Sequence, residues 1–78
     1  MAKYSGTILG HYVVAELSDL TGSYYVEIDG VKKATGAQYV ADRPVVLDLD
    51  GHRMIVRFSG IAMGHIEIVL DGKVLYSA

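Results

Sequence analysis

Apolar and polar side chains alternate on both sides of Asp50-Gly51. Val45-Val46-Leu47-Asp48-Leu49 precedes the dipeptide and His52-Arg53-Met54-Ile55-Val56-Arg57-Phe58 follows it. A period of two sends successive side chains to opposite faces of a strand. Asp and Gly tolerate the positive φ that both central positions of a type I′ turn require, so residues 44–58 are predicted to form a β-hairpin with a two-residue turn. Asp29-Gly30 and Asp71-Gly72 repeat the signal, and the three dipeptides stand 21 residues apart. The chain reads as a series of hairpins.

Regular pairing across each turn assigns the faces. In residues 23–35 it sets Ile28 opposite Val31, Glu27 opposite Lys32, Val26 opposite Lys33 and Tyr25 opposite Ala34. In residues 44–58 it sets Asp48 opposite Arg53, so both hairpins carry an opposite-charge pair one step before the turn, worth about 0.2–1 kcal/mol and favouring this register. The core face of this hairpin is then Val45, Leu47, Leu49, Met54, Val56 and Phe58, with His52 at its turn end. Its other face holds Val46, Asp48, Arg53, Ile55 and Arg57. In residues 65–77 the same rule places Ile66, Ile68, Leu70 and Leu75 in the core, and Glu67, Val69, Val74 and Tyr76 on the opposite face.

The remaining segments connect these hairpins. Residues 4–17 read as one long bent strand or two short ones hinged at Leu9-Gly10, a degenerate first member of the series. Residues 18–22, Ser-Asp-Leu-Thr-Gly, are a loop by composition. Gly36 is expected to end the strand before it, leaving residues 37–41 as a short strand or extended connector. Asp42-Arg43-Pro44 makes a corner, because Pro lacks the donor that a central strand needs. Residues 59–64 form a connector with glycines near both ends. The expectation is one all-β domain over residues 1–78, a small antiparallel sandwich or barrel of seven to eight short strands. No segment has helical period, which excludes a parallel βαβ architecture.

Composition sharpens this picture. At 78 residues a single core leaves little net stability, and small domains often add disulfides, a metal or a partner. There is no Cys, so disulfides and thiolate metal sites are excluded. A hydrophobic fraction of 51% is high for so short a chain and points to apolar surface covered by another chain. A net charge of −2 with interspersed charges gives no basic footprint for nucleic acid. No run approaches a membrane helix and no signal-peptide core follows Met1, so no membrane partner and a cytoplasmic location are the default expectations.

Candidate chemistry is sparse. His11, His52 and His65 each follow a glycine, and three imidazoles at strand ends are chemically able to form an open Zn²⁺ site, but the spacing matches no metal motif. No metal or other cofactor is therefore assigned. Ser59, His65 and Asp42 supply the residue types of a hydrolytic triad without a nucleophile elbow or phosphate-cradling loop, so no catalytic residue is assigned either. Asp29, Asp50 and Asp71 are accounted for by their turns. The six tyrosines, Tyr4, Tyr12, Tyr24, Tyr25, Tyr39 and Tyr76, are the one unusual enrichment. Tyr24 is expected in the core by parity with Val26 and Ile28. Tyr25, Tyr39 and Tyr76 are candidates for stacking on a small ligand or carbohydrate.

Functional expectation rests on the face left over. With the charged pairs removed, Val46 opposes Ile55, Val69 opposes Val74, and Tyr25 and Tyr76 lie on the same side. Tyr25, Val46, Ile55, Val69, Val74 and Tyr76 are thus the expected interface. The reading is a non-enzymatic protein–protein interaction or assembly module that contacts itself, as a homodimer or higher oligomer, or another protein. A virion component or a small phage-encoded inhibitor would have this character. A ligand- or carbohydrate-binding β module is the alternative.

Overall fold

The structure, a computed structural model, describes residues 2–18, 20–37, 44–59 and 64–78. The described residues form eight strands: β1 (Ala2–Ile8), β2 (His11–Leu17), β3 (Ser23–Ile28), β4 (Val31–Ala37), β5 (Val45–Leu49), β6 (His52–Ser59), β7 (His65–Leu70) and β8 (Lys73–Ser77). They form two four-stranded antiparallel sheets of consecutive strands, β1-β2-β3-β4 and β5-β6-β7-β8. The chain is a small β-sandwich. Asp19 of the expected loop, residues 38–41 of the expected connector at 37–41, the corner residues Asp42 and Arg43, and residues 60–63 lie outside the described residues.

Four turns of one kind join the strands within hairpins. Leu9-Gly10, Asp29-Gly30, Asp50-Gly51 and Asp71-Gly72 all have positive φ, between 50° and 53° at the first residue and 81° or 82° at the glycine. These are the type I′ values that match the right-handed twist of the flanking strands. Leu9-Gly10 is thus the first member of the turn series, and residues 4–17 are two strands rather than one. The wider link between β2 and β3 is closed by Ser18 N–H donating to Ser23 O at 2.9 Å and Gly22 N–H donating to Ser18 O at 2.9 Å.

The true structural unit is two hairpins long. Val13 matches Met54, Ala15 matches Val56 and Leu17 matches Phe58 at a spacing of 41 residues, and Val26 matches Ile68 at 42. All eight are buried, and with Ile8, Ile28, Leu49 and Ile66 they form one core shared by the two sheets. Each such side chain removed from water contributes about 1.5–3 kcal/mol for the larger aliphatic and aromatic types. Two aromatic pairs add to the core: Tyr24 stacks on Phe58 with ring centroids 4.4 Å apart, and Tyr4 meets Tyr76 at 4.7 Å. Tyr24 is therefore a core-edge residue, as its parity implies.

Regular pairing fails at two matching places. The register shifts between Val26 and Glu27 and again between Ile68 and Val69. Lys33 and Leu75 are the extra residues of two β-bulges, 42 positions apart. A bulge reverses the inside–outside parity of everything beyond it. Tyr25 consequently opposes Thr35 rather than Ala34, and Val26 opposes Ala34 rather than Lys33. Leu75, expected in the core, is 44% exposed, and Tyr76, expected outside, packs on the core. Gly36 does not end its strand: β4 continues to Ala37. There the missing side chain makes room for the Tyr24 ring, whose hydroxyl would lie 2.5 Å from a Cβ at Gly36.

Candidate functional site

One end of the sandwich gathers the turns, and their aspartates do more than accept positive φ. His11 Nδ1–H donates to Asp29 Oδ2 at 2.6 Å, Tyr12 N–H to Asp29 Oδ1 at 3.0 Å, and Asp29 N–H to Tyr12 O at 2.8 Å. The second half repeats the clasp. His52 Nδ1–H donates to Asp71 Oδ2 at 2.5 Å, Arg53 N–H to Asp71 Oδ1 at 3.0 Å, and Asp71 N–H to Arg53 O at 2.9 Å. Each clasp ties the second hairpin's turn to the neighbouring strand. The Gly-His dipeptides at 10–11 and 51–52 are therefore structural, placing a donor where the aspartate of the next hairpin arrives.

His11 also spans the two sheets, because its Nε2 lies 2.8 Å from Asp50 Oδ2. A carboxylate only accepts, so this arrangement favours the doubly protonated ring, the imidazolium. The hydrogen bond to Asp29, then that to Asp50, raises the His11 pKa above its ordinary 6.5. The hydrogen bond to Asp71 raises that of His52. The same bonds, reinforced by the Tyr12 and Arg53 amides, lower the pKa of Asp29 and Asp71. His65 Nε2 instead lies 3.2 Å from Ser77 Oγ. The three histidines thus have separate partners, and among the described residues no three His, Asp or Glu side chains are placed to hold one metal ion. Asp42, which with Ser59 and His65 supplies the residue types of a triad, lies outside the described residues, as does Tyr39.

The outer faces of the two sheets differ in chemistry at matching positions. On the second sheet, Val46 pairs with Ile55, Ile55 with Val69, and Val69 with Val74. They make an apolar row across all four strands, its ends Val46 and Val74 exposed to 56% and 54%. The matching row of the first sheet is Ser5, Val14, Glu27 and Lys32, in register by the same pairings. The fold does not need an apolar row there. Four of the six expected interface residues form this one feature. Tyr25 sits on the outer face of the other sheet, where its hydroxyl donates to Glu16 Oε2 at 3.3 Å and Lys32 Nζ lies 4.8 Å from its ring centroid. Tyr76 is turned inward by the bulge.

Charged residues border the apolar row. Arg57 pairs with Glu67 across β6 and β7, with Nε and Oε1 3.8 Å apart and 60% of the Arg57 side chain exposed. Asp48 stands opposite Arg53 in the register, and its carboxylate accepts from Gly51 N–H at 3.3 Å. On the first sheet a cleft of about 430 Å³ is lined by Glu16, Ser18, Ser23, Tyr24, Tyr25, Lys32, Thr35 and Gly36. A second, of about 310 Å³, lies between the Asp29 and Asp50 turns beside His11. No described helix is long and apolar enough to cross a membrane. Comparisons with protein-family models, curated proteins and solved structures found no match to this chain.

Proposed function

We propose that this protein is a non-enzymatic interaction module that associates with a second copy of itself through the outer face of β5–β8. The observation that carries the reading is the contrast between the Val46-Ile55-Val69-Val74 row and its counterpart Ser5-Val14-Glu27-Lys32 on the same backbone frame, in which only Val14 is apolar. An apolar stripe exposed without a folding role is the signature of a surface covered by protein. The face is small: four strands about 4.8 Å apart and five residues at about 3.3 Å each give roughly 19 by 17 Å. Two such faces bury roughly 650 Å² counted as flat areas, at the weak end of the range for protein interfaces, so the association is weak and concentration-dependent. Sedimentation of wild type against Val74→Glu and Lys32→Glu tests it. Loss of association in Val74→Glu alone supports the reading; a monomer at all concentrations, or equal effects of both variants, refutes it.

A second reading has its own observation. The first-sheet cleft presents the Tyr25 ring beside Glu16, Ser23, Lys32 and Thr35, an aromatic wall with convergent polar groups of the kind that receives a small polyol or carbohydrate. Quenching of tyrosine fluorescence across a glycan panel, abolished by Tyr25→Ala, would establish it. An unchanged signal across the panel removes it.

A further inference from the structure

The outward residues of the two central strands of the second sheet are complementary in charge. Arg53, Ile55 and Arg57 point outward from β6, and Glu67 and Val69 point outward from β7, followed by Asp71 at its turn. One strand presents basic, apolar, basic; the next presents acidic, apolar, acidic. Cross-strand pairing sets Ile55 level with Val69 and Arg57 level with Glu67, while Arg53 N–H bonds to Asp71 Oδ1 at 3.0 Å. The matching strands of the first sheet lack this arrangement: they present Tyr12, Val14 and Glu16 beside Tyr25, Glu27 and Asp29.

We infer that two copies pack sheet to sheet about a two-fold axis that runs parallel to the strands between β6 and β7. This rests on the self-association proposed above and specifies its geometry. Rotation about that axis lays β6 of one copy over β7 of the other at the same level. Arg57 then meets the second copy's Glu67 and Arg53 meets its Asp71, each twice by symmetry, and Ile55 covers Val69 between them. At the edges, β5 lies over β8, so Val46 meets Val74. A two-fold axis in the sheet plane but perpendicular to the strands would lay β6 over β6 and set arginine against arginine. Either two-fold leaves the strand lines of the two sheets aligned, as packed sheets prefer, so charge decides between them. The result is a four-layered dimer with the apolar rows at its centre.

Thiol cross-linking reads this geometry directly, because the chain has no Cys of its own. Val46→Cys and Val74→Cys each replace an exposed valine, so both variants are expected to keep the wild-type circular dichroism spectrum. Treated with a short bis-maleimide, an equimolar mixture should give a dimer containing one of each variant, and either variant alone should give several-fold less. Charge reversal gives a second readout. Arg57→Glu and Glu67→Arg should each weaken self-association about tenfold or more, and mixing the two should restore it to within about threefold of wild type. Val46→Cys chains linking to one another, or a mixture that fails to recover affinity, would overturn the two-fold. If Val74→Glu still abolishes association in that case, the face stands and only its geometry falls. If wild type never associates, both fall.

Discussion

At the scale of single residues, His11 and His52 make the turn end of the sandwich sensitive to pH. Their pKa values are raised in the folded chain, so what protonation contributes to stability is fully present below about 6.5 and is lost as pH rises through the elevated folded values. Asp29 and Asp71 have lowered values, so their contribution is present above the ordinary carboxylate range near 3.8 and is lost as pH falls through the depressed folded values. Thermal unfolding should therefore show highest stability between about pH 4 and 6.5, with a decline on the alkaline side that the double variant His11→Ala/His52→Ala removes. A wild-type profile flat from pH 5 to 9 would contradict the clasps.

Leu9 is the residue-level exception. It occupies the left-handed turn position with φ of 51°, where its matches are all aspartates, and a branched side chain there costs about 1–2 kcal/mol. It also matches Asp50, the carboxylate that receives His11. Leu9→Asn should stabilise by about 0.5–1 kcal/mol in urea titrations through backbone preference alone. Leu9→Asp should add a steeper pH dependence by offering His52 a second carboxylate. Destabilisation by both substitutions would mean that Leu9 is held by contacts beyond the turn.

At the scale of elements, the bulges decide which side chains are structural. Tyr76 packs against Tyr4 and the core, whereas Leu75, the residue a regular hairpin would bury, stands outside. Tyr76→Ala should cost about 2 kcal/mol and Leu75→Ala within about 0.5 kcal/mol, measured as shifts in the urea midpoint. The reverse order would show that β8 pairs without a bulge. This is also where reading from sequence stops. Asp-Gly turns and alternation made the hairpins and the β5–β6 faces legible, since turn chemistry and period two are local. A bulge has no such local mark here: neither Lys33 nor Leu75 is a glycine, and the parity error they introduce moved Tyr76 to the wrong face. Val46 pairs with Ile55 and Val69 with Val74 as regular pairing predicts, because no bulge falls between them and the turns.

At the scale of the whole molecule, the even 21-residue step of the Asp-Gly turns conceals a doubled unit of two hairpins. The partition of those turns between two sheets follows from burial of both inner faces, a long-range condition that spacing does not encode. The histidine clasps were partly legible, in that Gly-His and Asp-Gly recur together in both halves, but their pairing needed the β2–β3 and β6–β7 neighbours in place. Doubling also supplies the internal control behind the functional proposal, because one frame carries both a polar and an apolar outer row.

That control makes the decisive measurement simple. Val46 and Ser5 occupy matching exposed positions at the start of the two rows, and Val46→Glu and Ser5→Glu place the same charge on each. Sedimentation velocity from about 1 to 100 µM should show wild type and Ser5→Glu shifting from monomer toward dimer, with Val46→Glu remaining monomeric. A wild type that stays monomeric throughout, or a Val46→Glu variant that associates as wild type does, would contradict the assignment of this face.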